Sequence, residues 1–145
     1  MVYKMIKKDL FEMPNDYYLA HCVNATYELG AGIAKTFSEK YNMKNRLRGV
    51  FPQPKDNEAY YVGKALLLGN VFNLVTKVKH YNKPSYGTLR SALEDMRRQC
   101  VGLGIQKVAM PKIGCGLDRL DWEKVEPMIF DVFTGCDIEI VVCYL

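Results

Sequence analysis

Hydrophobic and polar positions along the chain change period several times, and each change predicts an element. Val2 to Lys7 alternates as a short strand, and Tyr17 to Val23 is a mostly apolar run rich in β-formers, the pattern of a buried strand. From Ala31 the period lengthens. Ile33, Ala34, Phe37 and Tyr41 fall on one side of a helix while Lys35, Glu39 and Lys40 turn elsewhere. Asn42 to Gly63 carries Pro52, Pro54 and scattered charges and predicts irregular backbone. Ala65 to Leu68, Gly69-Asn70 and Val71 to Thr76 read as a hairpin. After Pro84, the positions Leu89, Ala92, Leu93, Met96 and Cys100 repeat at helical spacing, with Gly102 and Gly104 as the stop. Lys107 to Met110 is a further strand, ended by Pro111. Asp121 can cap a helical segment through Val132, with Pro127 expected to open the helix proper after a separate turn. Ile138 to Leu145 closes the chain as a strand. Strands alternating with helices predict a layered α/β domain, residues 1–145, around a mixed sheet.

Composition narrows the class. The 145 residues are 49% hydrophobic and 25% charged, enough for one core that needs neither disulfides nor metal for stability. No run approaches the roughly 20 apolar residues of a membrane span, and the acid-containing start resembles neither a secretory signal nor a transit peptide. An intracellular, cytoplasmic location with no membrane partner is expected, and nothing in the sequence speaks against the nucleus. Cys22, Cys100, Cys115, Cys136 and Cys143 include no Cys-x-x-Cys pair, so reduced and mostly buried thiols are expected. Neither His21 nor His80 has a partner at metal-ligand spacing, and no metal site is expected. A net charge of +4 inclines the surface toward anions without indicating nucleic acid as a partner.

Two glycine-bearing turns follow predicted strands: Gly30-Ala31-Gly32-Ile33-Ala34, and Pro111-Lys112-Ile113-Gly114-Cys115-Gly116-Leu117-Asp118. Turns of this kind either relieve tight connections or let backbone N–H groups converge on a phosphate beside a helix start. Neither has the full dinucleotide or Walker spacing. Their shared position at strand ends, where open α/β sheets bind ligands, favours the second role. Lys77, at the end of an apolar strand, is either a solvated lysine or an amine nucleophile. Asp118, beside Arg119, is either a turn residue or a general acid/base. His21 within its strand reads as a hydrogen-bonded core residue, and Trp122 as core. The Lys77, Lys79, Lys83 cluster reads as a solvated basic face without the aromatic ladder that base stacking needs.

The strings AHCVNATYELGAGIA, LVTKVKHYNKPSY and MPKIGCGLDRLDWEKV, preceded by KKDLF, resemble the macrodomains over nearly the entire chain. More narrowly they are similar to the terminal ADP-ribose protein glycohydrolase branch. The resemblance implies a three-layer α/β/α sandwich with a mixed central sheet. It also implies that Lys77 attacks the anomeric carbon of the distal ribose to form a lysyl-sugar adduct, which Asp118 helps to resolve as proton acceptor. Asp9 and Leu10 would border the adenine, Gly30 to Ala34 would face the distal ribose and phosphate, and Lys112 to Asp118 would wrap the pyrophosphate. His21, Asn24, Pro111 and Leu145 complete the implied substrate-binding set. Asn24 stands where members of that branch resemble a serine, and Cys143 where they carry a tyrosine, with Tyr144 on the other strand face.

The activity implied is hydrolysis of ADP-ribose esters on glutamate or aspartate side chains, and of O-acetyl-ADP-ribose, with ADP-ribose and ADP-ribosylated proteins as partners, no cofactor and a monomeric state. Three other activities use the same loops: a non-catalytic ADP-ribose reader, a phosphatase on phosphorylated ADP-ribose, and removal of ADP-ribose from nucleic-acid bases.

Overall fold

A computed structural model describes residues 1–145. Its six strands are β1 (Val2–Lys7), β2 (Tyr18–Asn24), β3 (Ala65–Leu68), β4 (Val71–Lys77), β5 (Lys107–Met110) and β6 (Glu139–Tyr144). The helices are α1 (Gly32–Tyr41), α2 (Met43–Val50), α3 (Tyr86–Leu103) and α4 (Trp122–Phe133). One sheet runs in the order β1-β6-β5-β2-β4-β3, and every pairing is parallel except β3 with β4.

Strand alternation sends neighbouring residues to opposite faces and so builds two cores from the same backbone. Ala20, Phe72, Leu74, Val108, Met110, Ile140 and Val142 meet the apolar stripes of α3 and α4 on one side. Leu19, Val23, Val71, Val75, Ala109, Val141 and Cys143 meet Phe37 of α1 and Met43 and Leu47 of α2 on the other. The result is the expected three-layer α/β/α sandwich. Cys143 and Tyr144 fall on opposite faces as their spacing requires, the first buried and the second exposed.

Helix α3 forms as its periodicity predicts. Leu89, Ala92, Leu93, Met96 and Cys100 are all buried, and Ser85 and Thr88 make a capping box at the start. Gly104, at φ +70°, is the terminating residue, whereas Gly102 lies inside the helix. Three of the five free thiols are buried and two, Cys22 and Cys115, are half-buried.

Two expectations are corrected. The segment Asn42 to Gly63 is not irregular throughout, because α2 occupies its first part. Asn42 at φ +52° ends α1 and begins α2, and Met43 and Leu47, four residues apart, bury one face with 0% exposure each. Pro127 does not open a new helix but sits within a continuous α4. Asp121 caps that helix by accepting from the Glu123 amide, and Val125 and Ile129 anchor it on either side of the proline. Pro127 and Glu123, whose carbonyl loses its helical donor, are both exposed, so water can replace the missing bond.

Parallel β1, β6, β5, β2 and β4 all end at one edge of the sheet, and the loops that leave β2, β4 and β5 converge there. This is where an open α/β sheet holds a ligand.

Candidate active site

Between those three loops lies a cleft of about 870 Å³, within the range of ligand pockets. Lys77 ends β4, and its Nζ donates to Asp118 Oδ1 at 2.6 Å and to the His80 carbonyl at 3.0 Å. The two side chains are only 14% and 17% exposed, so the pair is poorly screened and still reachable from the cleft. This settles the geometry that the sequence left open: Lys77 is held, not solvated, and Asp118 is its partner instead of pairing with Arg119.

The two glycine loops form facing walls. Helix α1 starts at Gly32 after Ala31, which has no side-chain acceptor, so the N–H groups of Gly32, Ile33 and Ala34 open the helix uncapped at the cleft. Such a terminus favours an anion through its free donors and its dipole. On the opposite wall the amides of Gly116, Leu117 and Asp118 take no part in backbone hydrogen bonds. Gly32, at φ +59°, is where the loops touch: a Cβ there would lie 3.0 Å from Leu117 Cδ1. Gly114, at φ +73°, packs its backbone under Leu120 and Leu89, which a Cβ would meet at 2.9 and 3.3 Å. Gly116 has open space around it. Lys83, Lys112 and Arg119 add positive charge to the lining, against the carboxylates of Asp118 and Glu28.

Asn24, Gly30, Ala31, Gly32, Ile33, Ala34, Pro111, Lys112, Ile113, Gly114, Gly116 and Leu117 line the cleft with Lys77 and Asp118. Asp9, Leu10, His21, Cys115 and Leu145 do not. His21 is a correction to the implied set. It is fully buried, its ring stacks on Phe37 at 3.9 Å, and Nε2 donates to Asn73 Oδ1 at 2.6 Å. The donor assignment follows because the Asn73 amide group is committed to the Leu66 carbonyl and Met43 Sδ. Burial, only partly offset by the Asn73 bond, pushes the imidazole down to about 4. Leu10 is buried in the α1-side core, and Asp9 uses its carboxylate to accept from the Phe11 amide. Cys115 Sγ turns to the Ile113 carbonyl, and Leu145 is 90% exposed beyond the end of β6.

Several lining residues were not singled out by sequence. Cys22 lies at the cleft, but burial and the nearby Asp118 charge push its thiol up to about 12, so it is a neutral wall and not a thiolate. Glu28 and the His80-Tyr81-Asn82-Lys83 segment also reach the cleft. The one available signal was proximity: Glu28 precedes the first glycine loop by two residues, and His80 follows Lys77 by three. No group of three His, Cys, Asp or Glu side chains is placed to hold a metal ion. No helix is long and apolar enough to cross a membrane.

The chain belongs to the Macro domain family, whose profile matches residues 20–129, and its α/β/α sandwich holds the lysine–aspartate pair in a cleft at the parallel strand ends. Among individual proteins it is similar to the ADP-ribose glycohydrolase OARD1 of Homo sapiens, at 39% identity over 137 residues, covering 94% of this chain and 88% of the human protein. It is also 28% identical over 134 residues to a DNA ADP-ribosyl glycohydrolase of Mycobacterium tuberculosis, covering 86% of this chain and 37% of that protein. The macrodomain of Mycobacterium tuberculosis DarG has the same fold, with a TM-score of 0.83 at 23% identity over 99% of this chain and 98% of that one.

Proposed function

We propose that this protein is an ADP-ribosyl glycohydrolase that removes terminal ADP-ribose from ester-linked glutamate or aspartate sites on proteins and deacylates O-acetyl-ADP-ribose. The glycohydrolase class is supported by the names of the human and mycobacterial relatives. The observation that carries the mechanism is the 2.6 Å contact of Lys77 Nζ with Asp118 Oδ1 between two walls of backbone donors. A diphosphate held by those donors would leave the distal ribose beside the amine.

In the first half of the reaction Asp118 accepts a proton from the Lys77 ammonium, and the free amine bonds to the anomeric carbon. The bond from that carbon to the acyl oxygen breaks, and the acyl group leaves with its electron pair and the proton from Asp118. In the second half Asp118, ionised again, accepts a proton from water as the water oxygen bonds to the anomeric carbon and the carbon–nitrogen bond breaks. The released amine then recovers that proton. One difficult displacement is divided into two easier ones. ADP-ribose and the free acid are the products, and no cofactor takes part.

The test is a panel of glutamate-linked, serine-linked, base-linked and acetyl-linked ADP-ribose, assayed with wild type and Lys77→Ala. Turnover of the glutamate- and acetyl-linked members by wild type alone, with a borohydride-trapped sugar adduct on Lys77, is the expected result. Normal turnover by Lys77→Ala would remove the mechanism, tight ADP-ribose binding without hydrolysis of any member would make the protein a reader, and cleavage of the base-linked member alone would move it to nucleic-acid substrates.

A further inference from the structure

The loop between β2 and α1 holds a polar arrangement that the reaction scheme above does not use. The β2–β4 register slips between Val23 and Asn24, a bulge that re-aims Asn24 at the cleft edge. Its Nδ2 donates to a Glu28 carboxylate oxygen, to Thr26 Oγ1 at 2.7 Å and to the Val78 carbonyl at 3.2 Å. Thr26 Oγ1 lies 2.7 and 2.6 Å from the two Glu28 oxygens and shares its one hydrogen between them. Glu28 itself is set by its neighbours. Tyr27 and Leu29, at φ +54° and +44°, sit in the left-handed region and bury both side chains, which leaves the glutamate between them facing outward.

Glu28 and the Val78 carbonyl can only accept. A reversed Asn24 amide would set its oxygen against both, so the network permits one orientation. In that orientation Asn24 Oδ1 has no protein donor, and the residue lines the cleft. Burial alone would raise the Glu28 carboxyl, but the Thr26 and Asn24 bonds outweigh it and keep the group below its ordinary value.

We infer that Glu28 is a positioning residue that locks the Asn24 amide so that its Oδ1 accepts a hydrogen bond from one hydroxyl of the distal ribose. The inference rests on the ADP-ribose reading above and names a specificity element within it. The lock selects a hydroxylated sugar, because a buried acceptor left without its donor weakens binding.

The experiment is calorimetric titration of wild type, Glu28→Ala and Glu28→Gln with ADP-ribose and with its 2-deoxy and 3-deoxy distal-ribose analogues. Wild type should bind one analogue roughly tenfold more weakly than ADP-ribose, and Glu28→Ala should lose a similar factor for ADP-ribose while binding that analogue as wild type does. Glu28→Gln, which keeps an acceptor for Asn24, should recover most of the affinity. Should the alanine variant not fold, Glu28→Met keeps the volume, removes the acceptors and gives the same readout. A loss of equal size for all three ligands would reduce Glu28 to a purely structural role and overturn the inference, as would no loss at all. Failure of wild type to bind ADP-ribose would bring down the functional reading and this inference together, whereas normal binding with an indifferent Glu28→Ala would bring down the inference alone.

Discussion

Strands β2 and β4 carry two polar pairs within a few residues of each other, with opposite fates. His21 stands opposite Asn73, and farther along the same ladder Asn24 stands opposite Lys77. The first pair is sealed under Phe37 and satisfies itself, apart from His21 Nδ1, which is buried with no partner. The second lies past the register slip, where the strands run out and the loops part, so Lys77 finds Asp118 from a third loop and Asn24 finds Glu28. Three residues of strand separate a histidine sealed in the core from an asparagine that lines the cleft. Residue type does not tell them apart, since histidine is the commoner catalytic residue and here it is the structural one.

The largest effect that would sharpen this contrast is on turnover. Lys77→Ala should lower kcat by about 10³-fold or more, equivalent to about 4 kcal/mol of barrier, while melting close to wild type and still binding ADP-ribose. Stopped assays beside calorimetry read both quantities, and a parallel loss of binding would break the division of labour between the two pairs. His21→Ala should do the reverse. It leaves a cavity under Phe37 and an unpaired Asn73 oxygen, for a loss of about 3 kcal/mol in urea unfolding with unchanged kcat per folded molecule.

Acid should act through the same histidine. Its folded-state value of about 4 lies below the ordinary 6.5, so between those values the unfolded chain takes up a proton that the native one refuses. Stability is therefore complete above pH 6.5 and falls by up to about 3 kcal/mol as pH drops toward 4. Urea midpoints at pH 7 and pH 5 should differ in wild type, and the difference should shrink in His21→Gln.

The smallest effect separates the glycines of one loop. Gly114→Ala places a Cβ against Leu120 in a left-handed backbone and should cost about 2 kcal/mol, whereas Gly116→Ala meets open space and should cost under about 0.5 kcal/mol. Thermal melts of the two variants compare them directly, and equal melting temperatures would mean that the loop does not hold its left-handed turn at Gly114.

Period and punctuation made most of the fold legible. Val71 to Thr76 and Leu89 to Cys100 bury what their spacing says they bury. Helix α2 escaped because its apolar face is just Met43 and Leu47, in a stretch dominated by charge and followed by two prolines. Pro127 misled because its cost depends on whether water reaches the freed carbonyl, which a sequence does not display. In the site, the glycine loops were readable because their chemistry is local. The links of Lys77 to Asp118, 41 residues apart, and of Asn24 to Val78, 54 apart, exist only once the strand order is known, and family resemblance supplied the first of them. Glu28 offered only its nearness to the first glycine loop, because its partners are an amide and a hydroxyl, residue types found in any loop.

The parallel strands deliver their ends to one rim, and the cleft of Lys77 and Asp118 lies at that rim. The Gly69-Asn70 turn enters β4 seven residues before Lys77 leaves it, a separation of about 20 Å along an extended strand. A surface tether or reporter dye attached there would keep the mouth of the protein pointing away from the support, making that turn the natural handle for a sensor built on this scaffold.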